Sequence, residues 1–157
     1  MDDAQARISY PIPAGWEREK GGLIDAFTSM ISKKGTKDSG HPGGGGGSVV
    51  AGRAGGIPEH RLKSMAVSAA HSNAEFFCPD GRATLRESRA TTVTGRPAHT
   101  VALKVSHRDC GTLHLRLTLA SVDDDRSAFL IGLATWAERD VAGREMVDAV
   151  LADASLL

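Results

Sequence analysis

Two stretches in the second half of the chain alternate apolar and polar residues with a period of two. Val101, Leu103 and Val105 alternate with Ala102, Lys104 and Ser106, and Leu113, Leu115, Leu117 and Leu119 alternate with His114, Arg116 and Thr118. Successive side chains leave a strand on opposite faces, so this pattern predicts two strands with one face on a core and one toward solvent. Asp109-Cys110-Gly111 between them suits a three-residue hairpin loop with the glycine in the left-handed position. That register sets Val105 opposite Leu115, Ser106 opposite His114, and Lys104 opposite Arg116, a like-charge pair on the solvent face. Before this hairpin, Thr84 to Thr94 is a β-branched strand that turns at Gly95-Arg96-Pro97. After it, Asp123-Asp124-Asp125 turns the chain into a last strand with Phe129, Ile131 and Leu133 on its core side.

The period lengthens over residues 58–77. Leu62, Met65, Ala66, Ala69, Ala70, Phe76 and Phe77 recur at three- and four-residue spacing, which predicts a helix with one apolar stripe. Pro58 suits its first position and Glu59 its N-terminal dipole, and Pro79 ends it at Cys78. A second helix is predicted at the C-terminus, capped by Asp140 and packed through Val147, Val150 and Leu151. Toward the N-terminus the pattern is weaker. Ile8 to Pro13 reads as a short extended segment that its prolines confine to a sheet edge. Trp16 to Lys20 and Ser48 to Ala51 read as strands, and residues 24–32 fit either a strand or a short helix. Grouped, hairpin-linked strands with helices between them predict an α+β domain, an antiparallel sheet covered by helices.

Composition narrows the function. A chain of 157 residues is one domain by size, residues 1–157, with a single sizeable core. Lysine plus arginine equals aspartate plus glutamate, 19 each, so no net field recruits nucleic acid. Aromatic residues make up 4% of the chain, too few for base-stacking platforms. No apolar run approaches the roughly 18 residues needed to cross a bilayer, so this segment is not expected to insert in a membrane. The opening MDDAQARISY lacks the form of a signal peptide, and export requires a targeting segment upstream of Met1.

Candidate chemistry is sparse. The run Gly43 to Gly47 offers no GxGxxG, because the third position from Gly43 is Ser48. Gly47 to Gly52 has the glycine spacing of a phosphate loop, but Arg53-Ala54 follows where a lysine and a hydroxyl are needed. Residues 35–47 are therefore expected to be a flexible loop, and no cofactor is expected. Asp123 to Asp125 lack the alternating spacing of a calcium loop. His60 and His71 lie about 16 Å apart by helical rise, so no metal site is expected. Ser48 and Ser106 have no nucleophile elbow. His107 has the core parity of its strand and reads as a buried histidine near the hairpin tip; paired with Asp109 it would suit acid–base work, but no catalytic residue is assigned. Cys78 and Cys110 both sit beside turn signals and are either bridged or two buried thiols. A bridge is favoured, because exposed thiols at turns are a liability, and it implies an oxidising compartment.

Three segments carry a resemblance: YPIPAGWE at residues 10–17, VTGRPAHTVALKV at 93–105, and AFLIGLAT at 128–135 with a helix after it. They resemble actinobacterial exported domains of unknown function with the PsbP-like α/β/α sandwich fold, a group that includes LpqN-type lipoproteins. The resemblance implies an extracytoplasmic domain tethered by an N-terminal membrane segment and a stalk, and it carries over no catalytic residues. The glycine run departs from that pattern. The resulting expectation is a non-catalytic extracellular or cell-surface domain that binds a protein or cell-envelope component. Its interaction surface is expected to include Trp16, Arg96, His99, His114 and Arg116. Two alternatives stand beside it: a hydrolase with a histidine–aspartate site, and a carrier holding a small apolar ligand between the sheet and helix 58–77. The first requires convergent titratable groups in one pocket, the second a dry cavity.

Overall fold

The computed structural model describes residues 1–21, 23–24, 26–34, 47–136 and 141–157. In chain order the elements are β1 (Asp2–Asp3), β2 (Ile8–Ser9), β3 (Trp16–Arg18), β4 (Phe27–Lys33) and β5 (Ser48–Gly55). A single 3₁₀ turn, Glu59–Arg61, leads into α1 (Leu62–Phe77). Four long strands follow, β6 (Arg82–Val93), β7 (Arg96–His107), β8 (Gly111–Asp123) and β9 (Arg126–Thr135), then α2 (Val141–Ala152) and β10 (Ser155–Leu156). The main sheet is antiparallel with strand order β3-β4-β5-β9-β8-β7-β6. β2 pairs with both β1 and β10 in a small second sheet that joins the chain ends.

Alternation along the strands divides the core between the two faces of the main sheet. One set of side chains, including Val101, Leu103, Leu115, Leu117, Ile131 and Leu133, packs against Leu62, Ala66, Ala70, Ala74 and Phe77 of α1. The other set, including Val49, Ala51, Leu130 and Ala134, packs against Val147, Val150 and Leu151 of α2. This is the expected α+β fold, a helix on each face of an antiparallel sheet. The buried stripe of α1 is narrower than its sequence suggests. Met65 and Phe76 point outward, Phe76 at 52% exposure, because a row of alanines lets the helix axis close onto leucine-bearing strands. The ambiguous segment 24–32 contributes a strand, β4.

Two turns differ from expectation. The β7–β8 loop is Arg108-Asp109-Cys110, which sets Val105 opposite Leu113, Lys104 opposite His114, and Arg116 opposite Ala102. The shift is two residues, so every side chain keeps its face, and the Lys104–Arg116 contact does not form. The β6–β7 turn is Thr94-Gly95 with φ of 50° and 75°, the positive pair a tight hairpin requires, so Arg96 and Pro97 already belong to β7.

The expected flexible loop at 35–47 lies outside the described residues except for Gly47, and so does the Asp140 cap. Gly47 is packed, not slack: a Cβ there would lie 3.1 Å from the Trp16 ring and 3.3 Å from Val147. Gly52 shows the tightest approach along β5. An added Cβ would meet the Phe129 ring at 2.2 Å and the Ala26 carbonyl at 2.4 Å. The carbonyl belongs to the backbone and cannot swing aside. Gly52→Ala is therefore expected to cost about 1–3 kcal/mol, read from a denaturant melt. Gly55→Ala, with nothing within 4 Å of the new methyl, should leave the midpoint nearly unchanged.

Candidate functional site

α2 lies over β9 and β5 and reaches only the near side of β8, so the same sheet face carries polar side chains farther out on β8, β7 and β6. Beside the last turns of α2 this leaves a cleft of about 290 Å³, whose walls include Arg89, Thr91, Thr100, Arg116, Thr118 and Asp148. Arg116 organises its floor. Its Nε donates to Asp148 Oδ1 at 2.9 Å, its Nη1 to Thr100 Oγ1 at 3.1 Å and its Nη2 to Glu87 Oε2 at 2.7 Å. Thr118 Oγ1 bonds Thr100 Oγ1 at 3.1 Å, and Arg89 Nε donates to Glu87 Oε1 at 2.8 Å. His114 Nε2 completes the network 2.8 Å from the same Asp148 oxygen.

The electrostatics follow from these contacts. Burial alone would push Asp148 up, but the hydrogen bonds and charges of His114 and Arg116 outweigh it and hold the carboxyl below its ordinary value. Hydrogen bonds from Arg89 and Arg116 do the same for Glu87, against a smaller effect of burial. Burial opposes the charge on Arg116, yet Glu87 and Asp148 hold its proton more firmly than usual. The floor is thus two carboxylates and a guanidinium locked in their charged forms.

A β-bulge supplies part of this geometry. Leu85 pairs with Leu103 and Glu87 with Ala102, so Arg86 is an extra residue in β6. Consecutive side chains, Arg86 and Glu87, consequently reach the α2 side of the sheet. Glu87 meets Arg116, while the Arg86 guanidinium carbon lies 5.5 Å from the centroid of the Trp136 ring. Trp136 follows β9, where its amide donates to Thr112 O at 2.8 Å, and its ring lies 5.7 Å from that of His114.

The structure sorts the expected interaction residues. Trp16 is not on the surface. It is 7% exposed in the α2 core, because β3 pairs with β4 and turns its one large apolar side chain inward. His99 is likewise buried, on the α1 face, with Nε2 2.7 Å from Ser88 Oγ. Burial and then the charge of Lys63 lower its pKa. His114 is 5% exposed, in the network described above. Arg116 is mostly covered but lines the cleft, and Arg96 stays exposed, with Nη2 3.1 Å from Ser121 Oγ. Cys78 and Cys110 are bridged, Cα to Cα 6.1 Å, which ties the end of α1 to the β7–β8 hairpin tip.

The hydrolase alternative gains a histidine–carboxylate pair the sequence did not point to, His114 with Asp148. The pair is tied into the Arg116 network. The carboxylate oxygen is shared with Arg116, and the remaining ring nitrogen, Nδ1, is buried without a hydrogen-bond partner. The pair named in advance, His107 and Asp109, sits 3.6 Å apart at the hairpin tip, where Asp109 is largely exposed. Among the described residues, no three histidine, cysteine or acidic side chains are placed to share a metal. For the carrier alternative, buried side chains of α1 pack directly against those of the sheet. The open groove of about 470 Å³ beside the start of α1 has Glu59, Lys63 and His99 among its walls.

No protein-family model matches the sequence, and no curated protein matches it. Solved structures match in fold. The solution structure of cyanobacterial PsbP (CyanoP) from Synechocystis sp. PCC 6803 is similar with a TM-score of 0.70 at 12% identity, covering 100% of this chain and 91% of that one. The crystal structure of LpqN, involved in cell envelope biogenesis of Mycobacterium tuberculosis, is similar with a TM-score of 0.66 at 13% identity, covering 95% and 82%. The chain therefore has a PsbP-like fold, as its resemblance implied.

Proposed function

We propose that this chain is a non-catalytic binding domain that works outside the cytoplasm, on a cell-envelope component, through the cleft between α2 and β6–β8. The observation that carries this reading is the cleft floor. Its charged groups are saturated with one another, so they shape a rigid polar surface and leave no free base beside a nucleophile. Threonine hydroxyls and the exposed edge of Arg89 supply the groups that face outward. The Cys78–Cys110 bridge supports an oxidising compartment. LpqN shares the fold and is involved in cell envelope biogenesis, which supports an envelope component as the ligand.

Thr91→Tyr tests the proposal, because its half-buried position on the cleft wall lets a larger side chain fill the space. The parent protein is expected to co-sediment saturably with isolated cell envelopes of its host, and the variant, with an unchanged melt, to lose that retention. Equal retention of parent and variant would rule out the cleft.

A further inference from the structure

β6 ends the main sheet. It pairs with β7 on one side, and no strand pairs with its other side among the described residues. The opposite end of the sheet is β3, only 3 residues long, whereas β6 runs for 12 residues and contains neither proline nor lysine, which commonly blunt an edge. The bulge at Arg86 interrupts β6 and leaves a regular run from Glu87 to Val93.

The β6–β7 turn fixes which backbone groups are free. Val93 and Arg96 flank the two-residue Thr94-Gly95 turn and form the hydrogen-bonded pair that closes it. Bonded and non-bonded pairs alternate along an antiparallel ladder, so Thr92–Pro97, Ala90–His99 and Ser88–Val101 are non-bonded pairs. Pro97 has no N–H to give, which agrees with that phase. Ser88, Ala90 and Thr92 therefore turn their N–H and C=O groups to the open edge. The two faces of the edge differ in chemistry. Exposed Leu85 lies on the α1 side, opposite Leu103 of the α1 core, and Ala90 lies there too, opposite His99. On that side the groove of about 470 Å³ is lined by Ala90 and Thr92 of β6 and by Leu62 and Lys63 of α1. Arg82, Arg86 and Arg89 lie on the α2 side, against one acid, Glu87, which Arg89 and Arg116 already occupy.

We propose that the free edge of β6 binds an extended segment of a partner protein as an added antiparallel strand, and that this segment alternates aliphatic and acidic residues. Its aliphatic side chains lie over Leu85, Ala90 and the groove, and its acidic ones lie beside Arg86 and Arg89. In this mode main-chain hydrogen bonds supply affinity and alternate side chains supply specificity. A second copy of β6 offers the wrong charge, because its three arginines and single glutamate would face the same set. The inference goes beyond the cleft reading, since strand addition at the edge needs no ligand in the cleft.

The probe is a fluorescein-labelled octapeptide alternating glutamate and valine, titrated with the full chain at low ionic strength and followed by fluorescence anisotropy. Saturable binding is expected, about tenfold tighter than that of the matching lysine–valine octapeptide. Ala90→Pro removes one outward N–H and leaves the β7 ladder intact, so it should bind about tenfold more weakly. A peptide N-methylated at every valine should not bind, and one methylated at every glutamate should bind like the unmodified peptide. Only the valine amides face β6 when the valines lie on the α1 side of an antiparallel pair. That comparison leaves the protein unchanged and stands even if Ala90→Pro does not fold. No envelope material is used, so failure of the edge and failure of the cleft are distinguishable. Sedimentation of the unliganded chain should show a monomer at the concentrations titrated. Absence of saturable binding, binding that tolerates methylated valines, equal binding of the lysine peptide, parental binding by folded Ala90→Pro, or a dimer that Ala90→Pro dissolves would overturn the proposal.

Discussion

Replacing Cys78 and Cys110 together by alanine is expected to remove about 3–4 kcal/mol of stability and to lower the thermal midpoint by on the order of 10 °C. The two cysteines are 32 residues apart in sequence. Between them lie β6, its turn and β7, so the bridge constrains an unfolded loop containing two of the seven main strands. Within the native protein it holds the end of α1 against the hairpin tip, and the Gly81 amide donates to the Cys78 carbonyl at 3.0 Å. Urea melts of parent and variant, with and without dithiothreitol, give the measurement. The parent in reductant should match the variant, and a parent midpoint insensitive to reductant would contradict the account.

Arg116→Ala is expected to cost about 2–3 kcal/mol and to disorder the cleft. Removing one partner of a fully buried ion pair typically costs about 3–5 kcal/mol, because the remaining charge is stranded. Here Glu87 and Asp148 keep side-chain exposures of 35% and 36%, so water reduces the loss. The pH dependence checks the same network. The carboxyls of Asp148 and Glu87 are both lowered in the native protein, so their stabilisation is complete above the ordinary carboxylate range, about pH 4, and is lost as pH falls through the lowered native values. Asp148→Asn lacks its share of that stabilisation at neutral pH. The gap in urea midpoint between parent and Asp148→Asn should therefore shrink on acidification from about pH 5 to below pH 3. A gap that stays constant over that range would show that Asp148 is not held by His114 and Arg116 as described.

The strand alternation across residues 101–119 was enough to place a half-buried hairpin, and the apolar stripe of 62–77 was enough to lay a helix on it. Those signals are strong because burial of leucine and alanine dominates the energetics of both elements. The site was harder to read. Alternation assigns His114 and Arg116 to the face opposite the leucines, but it does not say whether that face meets water or a second helix. α2 covers it, which is why two residues expected on the surface lie in a buried network. Asp148 alternates with apolar neighbours on α2 and carries no motif, so only its tertiary position gives it a role. Arg86 was invisible for a different reason. A bulge changes which face every later residue of β6 occupies, and nothing in RATLRESRATTV marks where the extra residue falls. Trp16 was misplaced because alternation with charged neighbours fits a strand whose apolar side faces either way.

The central claim is that the polar face beside α2 is the working surface of a binding domain. Amide hydrogen exchange of the full chain, with and without soluble fragments of its host's cell envelope, tests it most directly. The account predicts slowed exchange at residues 89–92 and 148–152, with the α1 face unchanged. Protection confined to the α1 face, or no protection with envelope fragments at saturating concentration, would contradict it.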